Sequence, residues 1–335
     1  MEDFKTFAEN VKNQISGFLP EEYRSASPEM KQVLKNNNER RLGISIRKEG
    51  WEIAPILYLE EYYQMLQEGN PETEVLQRIA REYLDCNRDT PQNVGELIPD
   101  FETAKEQLWL KLVGKESNQR KLERCVYKDV EGTDLVATFQ LRVKIPGLEE
   151  GDISVDKRIM EKWGCDVDSL YESVLANMVH QMPAQVSEID SVLVGDEGGW
   201  KPEEVSCQEK KLYILRNTEE SHGAATLLYP GVLQALAENS GSDLYLLPFS
   251  PHAVAVRRVD SGAEVKKLQH LLLIMNTTKE PPGEILSNHI YRYDGKEQKL
   301  SCATTEEGTE EMLKKVLAGR ERLSEQGKPD EELER

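Results

Sequence analysis

No stretch of this chain approaches the ~18 consecutive apolar residues that a membrane-spanning helix requires. The opening residues, MEDFKTFAENVKNQ, lack the basic start and apolar core of a secretory signal, so a cytoplasmic location is expected. Positive charge is also scarce: 42 Lys and Arg against 61 Asp and Glu leave a net charge of −19. That balance argues against sequence-independent binding to nucleic acid or to an anionic membrane, since both demand a phosphate-neutralising surface. Cysteine is sparse and unpaired. Cys86, Cys125, Cys165, Cys207 and Cys302 contain no C-x-x-C pair, and their wide spacing fits neither a zinc knuckle nor a disulfide scaffold. Reduced, mostly buried thiols are the expectation.

The motifs that usually carry chemistry are missing too. The chain has no G-x-x-x-x-G-K-[ST], no G-x-G-x-x-G behind a strand, no G-x-S-x-G and no H-E-x-x-H. Asp152-x-Ser-x-Asp156 begins like a calcium loop, but Lys157 replaces the required glycine and Trp163 stands where a bidentate glutamate belongs. No metal, no cofactor and no catalytic residue is therefore assigned from motifs.

What is present describes a polar globular protein of 335 residues, 38 % apolar and 31 % charged, long enough for two domains or one large one. Phe4, Phe7, Ala8, Val11 and Ile15 lie on one helical stripe, and Leu42, Ile44 and Ile46 alternate as a half-buried strand. Gly50 is a turn signal ahead of Ile53–Leu59. Helical spacing resumes over Leu59–Leu66, and Asn70-Pro71 looks like the start of a further helix. The polar connection 85–100 is a candidate boundary, followed by an expected helix over about 101–113. Strands are expected at 124–127 and 135–143, helices at 153–163 and 168–182, and an acidic loop or lid at 185–209.

The C-terminal part reads ββα-ββα-ββ: strands at 211–216 and 224–229, a helix opened by Pro230, strands at 244–247 and 253–259, a helix behind Ser261-Gly-Ala-Glu264, and a hairpin at 290–303. Ser261 and Glu264 have the spacing of a capping box. The class is α+β: an antiparallel C-terminal sheet with helices on one face, preceded by a helix-rich N-terminal region with a small β-hairpin. Three segments are expected: 1–90, an α/β-hairpin region; 100–303, an α+β domain; and 304–335, a charged helical or disordered tail.

Polar residues of chemical interest concentrate between Leu212 and Val256, which holds two of the five histidines. His222 and His252, with Asn217, Ser221 and Ser250, could face one cleft, and Asp243 or Glu220 could orient a ring. The competing structural account is that each histidine caps a turn or sits half-buried. Leu247-Pro-Phe-Ser-Pro-His252 is a stiff turn suited to carry binding residues or simply to close the sheet. Tyr58, Tyr62 and Tyr63 have helical spacing and read as packing.

Leu42-Gly-Ile-Ser-Ile-Arg-Lys-Glu-Gly followed by Ile53-Ala-Pro-Ile-Leu-Tyr-Leu-Glu resembles the N-terminal signature of an uncharacterised bacterial family of anaerobic Firmicutes, domain of unknown function 5688. Tyr127-Lys-Asp with Asp134-Leu, Gly223–Leu233 and Asp243–His252 resemble its later motifs. A more distant likeness, over about 153–256, runs toward the uncharacterised family of unknown function 1444. Neither resemblance implies an activity. The first implies a glutamate directly after the histidine of the last motif, where this chain has Ala253, so a His-Glu acid–base pair at that turn would be incomplete.

The leading expectation is a non-catalytic cytoplasmic binding or protein-interaction protein, with Asn217, Ser221, His222, Tyr229, Ser250 and His252 as its surface and an unknown protein or small molecule as partner. An accessory role in mobile genetic elements is its narrower form. The alternative is a hydrolase using His222 or His252 with Ser221 or Ser250. Imidazoles more than ~10 Å apart would exclude its paired form.

Overall fold

In the computed structural model, the described residues are 3–49, 51, 54–87, 98–143, 151–190, 199–208, 210–278 and 280–326. Gly50, Ile53, most of the 85–100 connection and the centre of the 185–209 segment lie outside them. The chain divides into two compact units, residues 1–108 with 140–165 and residues 109–139 with 166–335.

The first unit begins with helix α1 (Phe4–Gln14), which Asp3 caps by accepting the Thr6 amide at 2.8 Å. Strands β1 (Ser27–Leu34), β2 (Arg40–Arg47) and β3 (Leu57–Tyr58) form an antiparallel sheet in that order. Helices α2 (Glu60–Gln67) and α3 (Glu72–Asn87) follow. Helix α3 starts just after Asn70-Pro71, and the Pro71 carbonyl accepts the Glu74 and Val75 amides; the Asn70 side-chain amide donates back to the Met65 carbonyl at 2.8 Å. The α1 stripe packs with Ile44, Ile46, Leu59 and the Val75, Leu76, Ile79 and Tyr83 face of α3. Buried Tyr83 accepts the Ile46 amide at 2.9 Å and donates to the Ile46 carbonyl at 2.7 Å, so α3 is pinned to β2 by polar as well as apolar contact.

The helix expected over 101–113 is one helical turn, Phe101–Ala104, and a 3-10 turn. Then comes strand β4 (Leu108–Gly114), with six of seven residues buried. The continuous apolar run Leu-Trp-Leu-Lys-Leu-Val suits a strand buried on both faces, a pattern that helical spacing mimics over short lengths. Strands β5 (Tyr127–Asp129) and β6 (Leu135–Val143) pair antiparallel. In the first unit, residues 140–143 of β6 pair with β7 (Gly151–Ser154). The helix expected from 153 therefore starts later, as α4 (Lys157–Trp163), where Asp156 accepts the Ile159 amide at 2.9 Å.

Helix α5 (Val167–Gln181) leads into an antiparallel sheet of six strands in the second unit: β8 (Ala184–Glu188), β9 (Tyr213–Asn217), β10 (Leu244–Ser250), β11 (Ala253–Arg258), β12 (Tyr291–Asp294) and β13 (Lys299–Cys302). Their order is β13-β12-β10-β11-β9-β8. The fold is thus mixed α+β with an antiparallel C-terminal sheet and helices.

The ββα-ββα-ββ order holds, but its first pair is β8 and β9. The edge strand β8 takes up residues 185–188, expected in the acidic loop, and a 3-10 helix, Gly223–Leu228, occupies most of the strand expected at 224–229. Residues 223–228 are almost wholly buried and too close-set against the 250–252 turn to extend. Ala224 donates its amide to the Pro251 carbonyl at 3.0 Å. Helix α6 (Val232–Ser240) ends at left-handed Gly241. Helix α7 (Val265–Thr278) packs Leu268 and Leu272 against Ile214, Leu247, Ala255 and Ile290 of the sheet. Alternate residues Leu215, Leu246, Val254 and Val256 are buried as well, so side chains of both sheet faces are out of solvent.

The expected capping box does not form. The Ser261 hydroxyl donates to the Arg258 carbonyl at 2.7 Å, and Glu264 pairs with Lys267 at 2.8 Å. Leu271 of α7 is exposed. Helix α8 (Glu306–Gln326) runs beside α7. Buried Gln269 donates to Thr309 Oγ1 at 2.6 Å, and Arg320 reaches the Thr277 carbonyl, so the start of the supposed tail is docked.

Candidate functional site

Two turns of the second unit meet at the ends of β9 and β10. In the first, Glu220 and His222 both adopt left-handed backbone angles, φ 55° and 56°. Such angles are uncommon for residues with a side chain and are held only by surrounding contacts. The contacts are visible. Asn217, fully buried, donates through Nδ2 to the Ser221 carbonyl at 2.9 Å. Arg216 pairs with Glu220 at 2.5 Å. Gly223 comes so close to the second turn that a Cβ there would meet the His252 carbonyl oxygen at 2.2 Å. In the second turn, the His252 amide donates to Ser250 Oγ at 3.2 Å.

These turns bring both histidines together. The rings of His222 and His252 are 5.8 Å apart between centroids and inclined at 68°. His222, 6 % exposed, stacks on Trp109 of β4 at 4.7 Å. Its Nδ1 lies 2.7 Å from Ser221 Oγ. His252 is half-exposed, and its Nδ1 accepts the backbone amide of His222 at 3.3 Å. An acceptor at Nδ1 places the ring proton on Nε2. Nε2 lies 3.3 Å from Glu284 Oε2, an ion-pair approach rather than an aligned hydrogen bond, since that oxygen has no partner at hydrogen-bond geometry.

A carboxylate therefore does accompany His252. It comes from Glu284, about thirty residues on, and not from the neighbouring position that Ala253 occupies. The imidazole holds the Glu284 carboxyl below its ordinary range, against the opposing effect of burial. Burial pushes nearby Glu280 upward.

Of the remaining expected residues, Ser250 is buried and used to brace the turn. Tyr229 is buried, donates to the Met182 carbonyl at 3.0 Å, and has its hydroxyl pKa raised by burial. Asn217 Nδ2 also approaches Met182 Sδ at 3.9 Å, which places Asn217 and Tyr229 beside one residue. Asp243, considered as an orienting group, binds Arg292 at 2.6 Å instead. Two surface pockets of the second unit, around Asp243–Asp260 and around Thr304–Lys315, contain none of the six expected residues. Among the described residues no group of three or more His, Cys, Asp or Glu is placed to hold a metal ion. None of their helices is long and apolar enough to cross a membrane.

The sequence-based reading missed Trp109 and Glu284. Trp109 stood inside an expected helix, and Glu284 in the stretch between the helix behind Glu264 and the hairpin at 290–303, to which no element was assigned. The signal was thin in both cases: a tryptophan in an apolar run, and an acid after a turn.

Residues 4–295 match a family described as a family of unknown function, DUF5688. The chain belongs to that family. The match leaves the fainter likeness to the family of unknown function 1444 without support. No curated protein and no solved structure matches the chain. Membership in DUF5688 thus fixes kinship over most of the chain and assigns no reaction to the two turns.

Proposed function

We propose that the chain is a non-catalytic binding protein whose contact surface is the pair of turns carrying Ser221, His222 and His252, together with Glu284. The observation that carries this reading is the commitment of the His252 ring. Its Nδ1 lone pair is taken by a backbone amide and its Nε2 faces a carboxylate. General-base catalysis needs a free nitrogen within reach of the nucleophile's proton. A half-exposed ring locked in one plane is suited instead to recognition, where a fixed orientation lowers the ordering cost of binding. With Glu280 and Glu284 beside it and a chain charge of −19, the surface favours a neutral or basic protein partner. An accessory role in mobile genetic elements has no residue of its own to support it.

One observation favours the hydrolase alternative: Ser221 Oγ lies at hydrogen-bond distance from His222 Nδ1, and the imidazoles are well inside the ~10 Å limit. Activated esters separate the two readings. Purified protein is expected to hydrolyse p-nitrophenyl esters no faster than the Ser221→Ala variant does. Capture of a partner is expected to be lost in both His252→Ala and Glu284→Gln while circular dichroism is unchanged. Turnover abolished by Ser221→Ala would overturn the binding reading.

A further inference from the structure

A second histidine cluster lies at the far edge of the six-stranded sheet, outside the surface just proposed. His289 precedes β12, Cys302 ends β13 and Glu306 begins α8. The register pairs Tyr291 with Cys302, which sets the thiol across from the start of β12. The His289 side chain is 8 % exposed. Its Nε2 lies 2.9 Å from Glu306 Oε2, and its Nδ1 lies 3.0 Å from Thr304 Oγ1 and 3.3 Å from Thr309 Oγ1. The Cys302 thiol shares Thr304: its Sγ is 3.8 Å from the same hydroxyl and 3.1 Å from the Thr304 carbonyl. Unlike buried Cys125 and Cys207, Cys302 is exposed.

The titratable groups that face His289 come from three other elements, and each is of acid type: Cys302 of β13, Glu306 of α8 and Asp134 of the β5–β6 turn. Tyr291 of β12, buried with its hydroxyl on Asp134, stays neutral. Contact with the thiol, opposed by burial and aided by Asp134 and Glu306, raises the imidazole to about 9. Burial pushes the Cys302 thiol up, but the imidazole and the Thr304 groups outweigh it and hold the thiol below its ordinary value. Burial pushes Cys86 and Cys207 upward, and at Cys207 the opposing contacts with Ser240 and Arg258 do not outweigh it. An imidazolium beside an accessible thiol is the environment that makes a cysteine nucleophilic.

We propose that Cys302, His289 and Glu306 form a thiolate site that exchanges with low-molecular-weight disulfides. The Cys302 thiolate attacks one sulfur of R–S–S–R and forms the Cys302–S–S–R bond. The original S–S bond breaks, its electron pair leaves with R–S⁻, and that thiolate takes a proton from solvent. The disulfide is itself the oxidant, so no other co-reactant is required. Thr304 also lines a pocket of about 390 Å³ together with Lys266, Lys315 and Glu311. Glu311 pairs with Lys315 at 2.6 Å, leaving one net positive charge among the three. That pocket suits the carboxylate of a small disulfide. The matched family span ends at 295, so Cys302 and Glu306 lie beyond it.

The test uses the full chain and oxidised glutathione, followed by mass spectrometry for the adduct and by ultraviolet thiolate absorbance from about pH 6 to 9. Wild type is expected to carry the adduct on Cys302 and to show a thiolate titrating below the ordinary value of about 8.5. Cys302→Ser should abolish both signals. His289→Gln should slow adduct formation near neutral pH on the order of tenfold, because an unassisted thiol is only a few per cent ionised there. Glu306→Gln, at an exposed side chain, should move the thiolate titration upward without unfolding the protein. A wild-type Cys302 titrating at or above the ordinary value would overturn the proposal, even where His289→Gln fails to fold. So would an adduct on another cysteine, or no shift in Glu306→Gln.

Discussion

His222 and His289 are each 6 % exposed, yet the second unit holds them by opposite means. His222 sits in a left-handed turn, flat against Trp109, with an adjacent serine on its Nδ1 and a second imidazole across its edge. The Trp109 ring, the Ser221 hydroxyl and the His252 ring beside it carry no carboxylate or thiol. His289 is ringed by a thiol and two carboxylates from other elements. The same side chain is in one place a packed wedge that shapes a surface, and in the other a charge that changes a neighbour's chemistry. Proximity of histidine to serine and asparagine in the sequence marked the wedge. The charge is assembled from residues spread over 172 positions, from Asp134 to Glu306.

The largest expected effect breaks the first cluster. Gly223→Ala drives a Cβ to 2.2 Å from the His252 carbonyl oxygen and 2.9 Å from the Asn217 amide nitrogen, both backbone atoms that cannot swing aside. The two turns must separate, at a cost of about 3 kcal/mol or more. Urea unfolding reads it directly. A loss below half of that would mean the turns are not rigidly joined.

Next comes the support beneath the second cluster. Asp134 accepts from Ser287 Oγ at 2.9 Å and from the buried Tyr291 hydroxyl. Asp134→Ala strands both donors and should cost about 2 to 3 kcal/mol, since a buried hydroxyl without an acceptor keeps its full desolvation penalty. It should also lower the His289 pKa, because one of the surrounding anions is gone. Nuclear magnetic resonance titration of the imidazole would report that shift, and an unmoved pKa would detach Asp134 from the cluster.

A pH series then separates the clusters by sign. His289 is raised to about 9 in the folded chain, so its contribution is fully present below the ordinary imidazole value of about 6.5. The contribution is lost as pH rises through about 9. The urea midpoint of wild type should therefore fall across that interval more steeply than that of His289→Gln. Equal slopes would show that the histidine carries no raised charge.

These contrasts explain how much could be read from residue order. The Phe4–Ile15 stripe announced itself through helical periodicity, because it buries one face, and the β10–β11 and β12–β13 pairs through the turns between their strands. Trp109 did not, since a seven-residue run buried along nearly its whole length has no alternation to show. Residues 224–228 misled for the reverse reason: their apolar character belongs to a tightly buried 3-10 turn that Gly223 allows to pack under His252. Both histidines of the 212–256 segment do meet, but the carboxylate for His252 arrives from Glu284 after a proline turn. Nothing local in the sequence encodes that approach. It follows from how β10, α7 and the 281–284 turn are brought together.

The smallest expected effect concerns that same carboxylate. Glu284 is held below its ordinary range by His252, so whatever it contributes is present above the usual carboxyl pKa of about 4.3 and is lost as pH falls through the lower folded value. That sign is the opposite of the one for His289. The Glu284 side chain is 37 % exposed and that of His252 43 %, so solvent screens the contact, and Glu284→Gln should cost less than about 1 kcal/mol. A surface pair that matters little to folding but orients a half-exposed ring is what a binding role requires. If Glu284→Gln instead destabilised the chain as much as Gly223→Ala, the pair would be part of the scaffold, and the contact surface would have to be sought away from His252.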